Sequence, residues 1–173
     1  MDHEPSADAA VESPQVLTAA EDGNLTLLEA LLTENPDLIQ VRDVDGYTPL
    51  HRASYNDHPH VINRLLECGA DPMARTADGW TPLHCASCWG SSRAAQVLIG
   101  SGRIDVNART NGNLTPLHLA VVSTESAEKT TETVGLLLRQ PGIQLDAVSD
   151  AGETPKQIAR RTSKRIWDLF ERL

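Results

Sequence analysis

Residues 78–90 read DGWTPLHCASCWG, and within them His84, Cys85 and Cys88 supply an imidazole and a C-x-x-C pair, side chains that bind zinc or exchange disulfides. Either chemistry needs more than these three. A structural zinc takes four ligands, commonly as two spaced pairs, and the chain has no second C-x-x-C and no H-x-x-x-H. Dithiol exchange of the thioredoxin kind needs a strand ahead of the motif and a β-α-β setting, and the sequence supplies neither. Metal or redox chemistry at Cys85 and Cys88 therefore stands as the alternative reading only. Elsewhere no serine or cysteine nucleophile sits beside a base and an orienting carboxylate, and no glycine-rich phosphate loop occurs. Asp43, Asp45 and Asp78 fall at turns, where aspartate bonds its own backbone. The sequence describes a non-enzyme with no cofactor and no metal.

Length and charge narrow the class. With 173 residues, 40% of them hydrophobic, the chain can bury one sizeable core. A formal charge of −9 argues against a nucleic-acid binder, because that affinity rests on Lys and Arg displacing counterions from phosphates. No run of 18 apolar residues occurs, and the first residues lack a basic stretch followed by an apolar one, so neither a membrane span nor a secretory signal is expected. The expected location is the cytoplasm, the nucleus or both, with Cys68, Cys85 and Cys88 as reduced thiols. Residues 1–13 carry Asp2, Glu4, Asp8 and Glu12 without Lys or Arg, and read as an acidic disordered tail. Near the other end Lys156, Arg160, Arg161, Lys164, Arg165 and Arg172 outnumber Asp168 and Glu171. The run RRTSKR reads as a solvated helix face, with a nuclear-import patch as the alternative.

The elements that position these residues are set by self-similarity. T-P-L-H begins at Thr48, Thr81 and Thr115, 33 and 34 residues apart, followed each time by Ala53, Ala86 or Ala120 and then by an apolar pair. A degraded copy starts at Thr154, and a leading copy keeps Ala19, Ala20, Gly23, Leu27, Leu28, Leu31 and Leu32 in register. Each unit is a turn, a short helix opened by a threonine cap and a proline, a tight connection and a longer helix. Gly46, Gly79 and Gly152 precede the threonines by two residues, where a turn needs a positive φ; Asn113 takes that place once. Val61, Ile62, Leu65 and Leu66 form a stripe that one helix pair cannot bury alone, so the units must stack.

A period near 33 with T-P-L-H opening the first helix resembles the ankyrin repeat. The resemblance implies an all-α solenoid over residues 14–173, of about five helix-turn-helix units near 14–44, 45–77, 78–111, 112–150 and 151–173. It also implies β-hairpin loops on one side, a concave face built from loops and first helices, and protein binding as the shared activity. The last unit, with Lys156 and Gln157 in place of Leu and His, reads as a polar cap, which argues for a monomer.

Compared by columns, Cys85 aligns with Arg52 and Leu119, and Cys88 with Tyr55 and Val122, so neither position demands sulfur. His84 recurs as His51 and His118, which points to a hydrogen bond onto the neighbouring loop. Of six aromatic residues, four occupy columns that the resemblance exposes on the concave side. Tyr47 and Trp80 share the hairpin column that continues in Leu114; Tyr55 and Trp89 end their first helices beside Cys88. These six residues are the expected partner-binding face, since large aromatics bury much area with few rotors. For Tyr47 and Trp80, packing on the next hairpin is the competing role. Within RIDVNA, Asn107 stands where ankyrin hairpins are similar to substrates of an asparaginyl hydroxylase. A five-residue excess between Ala120 and Leu137 places an inserted, hydroxyl-rich loop within Ser123–Thr133.

Overall fold

The computed structural model describes residues 7–173, with side chains from Ser13 onward. Its helices are α1 (Ala7–Glu21), α2 (Leu25–Glu34), α3 (Pro49–Tyr55), α4 (Pro59–Glu67), α5 (Pro82–Cys88), α6 (Ser92–Gly100), α7 (Pro116–Val122), α8 (Ala127–Leu138), α9 (Pro155–Thr162) and α10 (Lys164–Phe170), with a 3-10 turn at Pro36–Gln40. The short helices start where the sequence places caps. Thr48, Thr81, Thr115 and Thr154 each accept a bond from the amide three residues on, with proline at the first helical position. Proline costs nothing there because its missing N–H would have no intrahelical partner. The turns ahead of these caps use Gly79 at φ +79° and Asn113 at φ +58°, so asparagine serves the left-handed position where glycine is absent.

Helices α1, α3, α5, α7 and α9 pack in one row and α4, α6, α8 and α10 in a second, each unit touching the next. Leu50, Leu83 and Leu117 of the T-P-L-H copies are at most 1% exposed. Burying each stabilises the stack by roughly 2 kcal/mol. Ile62, Leu65, Leu98, Val134 and Leu137 supply the second layer, and Ile166 and Phe170 close it on α10. The all-α solenoid is the observed architecture.

Three expectations change. α1 begins at Ala7, so residues 7–13 of the expected disordered tail are helical; Val16, Ala19 and Ala20 bury fully on this helix, which packs against α3, and the helix extends upstream from that anchor. Residues 1–6 of that expectation lie outside the described residues. No strand occurs among the described residues, so the loops expected as β-hairpins are tight turns. Each turn closes on itself, as in Gly46 N–H to Asp43 O at 3.0 Å, and meets its neighbour through one backbone bond. These are Ala77 to Asp45 at 2.9 Å, Asn111 to Asp78 at 3.0 Å and Asp150 to Gly112 at 3.1 Å, too few to make a ladder. Finally, most of the expected inserted loop is helix. α8 has 12 residues against nine for α6, capped by Ser126, and only residues 123–126 connect it to α7.

Candidate functional site

The face made by the turns and the first helices is organised by the three buried histidines. The Nδ1 atoms of His51, His84 and His118 accept the amides of Thr48, Thr81 and Thr115 at 3.2, 3.1 and 3.1 Å. A ring nitrogen that accepts an N–H bond carries no proton, so Nε2 is the donor. It reaches the carbonyl of Trp80 at 3.0 Å from His51, of Leu114 at 3.1 Å from His84 and of Glu153 at 3.1 Å from His118. Burial pushes His51 and His84 down to about 4 and lowers His118 as well, so all three are neutral at pH 7. The column Trp80, Leu114 and Glu153 is thus anchored by its backbone, and the side chains of Tyr47, Trp80 and Leu114 are half-buried.

Two aromatic arrangements differ in what they leave free. The Tyr47 ring meets His51 edge-on at 5.7 Å and lies 5.2 Å from the Arg52 guanidinium. Arg52 also bridges Asp43 and Glu21. Burial works against the Asp43 charge, yet the Arg52 bond and the amides of Tyr47 and Asp45 hold its carboxyl below the ordinary value. Trp80 lies 6.5 Å from His84, tilted by 43°. Tyr55 and Trp89, by contrast, pack on each other at 4.4 Å and 45°, and Trp89 stays 37% exposed. Cys88 is half-buried, and Val122, in the same column as Tyr55 and Cys88, is 45% exposed. The column runs from Glu21 in the first unit to Arg161 in the last, so an apolar row has a carboxylate at one end and a guanidinium at the other. Beyond Val122 a groove of about 290 Å³ opens between the α7–α8 loop and the α9–α10 junction.

Val122 was absent from the expected set, although its column, shared with Tyr55, already pointed to it. A second feature was missed outright. Arg42 donates to the Arg75 carbonyl at 2.7 Å, Arg75 to that of Arg109 at 2.5 Å and Arg109 to that of Val148 at 2.9 Å, a chain of guanidinium bonds joining consecutive turns. Their spacings of 33 and 34 residues equal the repeat, which is the signal that could have found them.

Cys85 is buried, and burial pushes its thiol far up; burial and then Glu125 raise Cys88. The thiolate is the reactive and ligating form, so these surroundings disfavour redox and metal chemistry alike. Among the described residues no group of three or more His, Cys, Asp or Glu could hold a metal ion. Asn107 is half-buried, its Nδ2 donating to the Gly142 carbonyl and its Oδ1 accepting the Gln144 amide, both at 2.9 Å.

Comparison with known proteins agrees with this architecture. A family model described as ankyrin repeats (3 copies) matches residues 7–76 and 71–149. Ankyrin repeat domain-containing protein 49 of Bos taurus is 47% identical over 64 residues, 37% of this chain and 27% of the relative. B-cell lymphoma 3 protein of Homo sapiens is 36% identical across 90% of this chain and 36% of its own length. NF-kappa-B inhibitor delta of Mus musculus is 34% identical over 90 residues, 51% of this chain and 28% of the relative. The chain thus spans between 27% and 36% of the length of these relatives. With a stack of helix pairs, a T-P-L-H cap in three units and a family match over most of its length, the chain belongs to the ankyrin-repeat family.

Proposed function

We propose that the chain is a non-catalytic protein–protein interaction module, an adaptor or regulator in a nuclear or cytoplasmic complex linked to gene regulation or signalling. Its partner lies across Tyr47, Tyr55, Trp80, Cys88, Trp89 and Leu114, extended by Val122. The observation that carries this reading is the Tyr55–Trp89 pair, in which a large indole packs on the Tyr55 ring and remains 37% exposed. Anchors of this kind concentrate binding energy, about 2 kcal/mol or more each when central. Tyr47 and Trp80 serve mainly to hold the turn column, and Trp89 is the principal anchor. Similarity to NF-kappa-B inhibitor delta, an inhibitor by name, supports a regulatory role. No described helix is long and apolar enough to cross a membrane, and the −9 charge favours a protein over a nucleic-acid partner. The polar last unit supports a monomer. Asn107, in the α6–α7 loop, is a hydroxylation site in this reading, at a position whose amide ties two units together.

The test is quantitative affinity capture with the wild-type chain and with Tyr55→Ala/Trp89→Ala, both checked for helicity by circular dichroism. Specific proteins retained by the wild type and lost from the variant support the face. Identical sets of captured proteins remove it.

A further inference from the structure

The α9–α10 junction carries Arg160-Arg161-Thr162-Ser163-Lys164-Arg165, and none of these six residues is buried. The core contacts on either side come from Ile158 and Ala159 before the run and Ile166 after it. Local opening of the run therefore withdraws no side chain from the core and costs its local hydrogen bonds, two exposed ion pairs and the Arg160 contact over the Trp167 ring at 5.7 Å. Besides the backbone bonds inside α9 and α10, these are Ser163 N–H to Ala159 O at 3.0 Å, Trp167 N–H to Ser163 O at 2.8 Å, Thr162 Oγ1 to Ile158 O at 2.9 Å, and exposed Arg161–Glu153 and Lys164–Asp168 pairs at 3.0 and 3.4 Å. Segments held this lightly open far below the global unfolding energy. Ser163 already has extended backbone at φ −151° and ψ 111°. Its Oγ accepts the Ile166 amide at 3.3 Å and donates to no acceptor among the described residues.

We propose that Ser163 is a phosphorylation site for an arginine-directed serine/threonine kinase. Arg160 and Arg161 stand three and two residues upstream, exposed, where two guanidinium forks can engage carboxylates of a kinase peptide cleft. In the transfer, the Ser163 oxygen attacks the γ-phosphorus of a nucleoside triphosphate and an O–P bond forms. The bridging bond to the β-phosphate breaks, nucleoside diphosphate leaves, and the hydroxyl proton passes to the kinase's catalytic carboxylate. Ser163 lines the 290 Å³ groove together with Ser123, Thr130, Thr162 and Arg165. Arg165 makes no ion pair among the described residues, and Glu125, on the same groove, is engaged by Lys129 at 3.1 Å. A phosphoryl group there brings a charge of about −2 to the Arg165 side and to the end of the Tyr55–Val122 row. Its effect on partner capture rests on the proposed face; the modification itself does not.

The experiment incubates the full chain with the catalytic subunit of an arginine-directed kinase, magnesium and ATP, and reads intact mass, the modified residue and initial rate. One phosphoryl group on Ser163 is expected, absent in Ser163→Asn, which keeps a helix-capping side chain, and retained in Thr162→Val. Arg160→Gln/Arg161→Gln, folded by circular dichroism, should slow incorporation about tenfold or more, the worth of a lost charge-assisted contact. No incorporation overturns the proposal, as does a label on Thr162 or within residues 123–133, or a rate indifferent to the two arginines. Partner capture before and after phosphorylation is read separately, so loss of the partner face leaves this result standing.

Discussion

Units two to four and the last unit use the same opening motif differently. In the interior copies the histidine does two jobs: Nδ1 caps its own helix and Nε2 reaches the next turn. In the last copy Gln157 does only the first, its Oε1 accepting the Thr154 amide at 2.8 Å, and makes no bond to another unit among the described residues. The leucine changes in parallel. Leu50, Leu83 and Leu117 are buried between stacked units, whereas the equivalent Lys156 is partly exposed, pairs with Glu171 at 3.1 Å and lies 5.1 Å from the Trp167 ring. Threonine, proline and an acceptor three residues on suffice to start the helix. Leucine and the imidazole Nε2–H are what hold a successor.

The largest effect that tests this contrast is on pH. His51 and His84 have pKa values near 4 in the fold against about 6.5 when unfolded, so between those values the unfolded chain binds more protons. Their contribution is complete above about pH 6.5 and is lost as pH falls towards 4, on the order of 3 kcal/mol for each histidine. Urea midpoints across that window should show the decline, and His84→Gln should flatten it; an unchanged slope would break the contrast. At pH 7, His84→Ala strands the Leu114 carbonyl and the Thr81 amide in the core, and should cost about 3–4 kcal/mol. Gln157→Ala removes only a cap and should cost about 1 kcal/mol. Equal losses would mean that the second job does not exist.

Glycines divide along the same line. Gly79 and Gly152 have φ of +79° and +77°, but a Cβ on Gly79 would stand 2.5 Å from Asn111 Oδ1 and 3.0 Å from the Asn111 amide, and one on Gly152 would meet nothing within 4 Å. Gly152→Ala should cost about 1 kcal/mol for the left-handed backbone alone, and Gly79→Ala about 2–3 kcal/mol, by denaturant titration. The smallest effect is expected at Trp89, where alanine should change stability by about 1 kcal/mol or less.

Much of the fold was legible because its causes are local and periodic. Thr81, Pro82 and Gly79 announce a turn and a helix start by type and order, and Asn113 confirms the positive φ by being the residue that tolerates it. What escaped depends on relations between units. The Arg42, Arg75 and Arg109 ladder lies in no sequence-local motif, because each guanidinium serves a carbonyl one repeat away. The single backbone bonds between adjacent turns, in place of strand ladders, likewise join residues one repeat apart. In the insertion, Ser and Thr surround the helix-forming Ala127, Glu128 and Lys129 and mask their signal, yet Ser126 caps a helix there. Trp89 and Tyr55 were visible as neighbouring columns; their 4.4 Å contact depends on the rotation between units.

Units two, three and four each grip the next through a neutral imidazole. Nitrogen-resolved NMR of the histidine rings tests it directly. Nε2-protonated, neutral rings are expected for His51, His84 and His118 at pH 7, with His51 and His84 titrating near 4. A Nδ1-protonated ring at any of the three, or His84 titrating near 6.5, would contradict it.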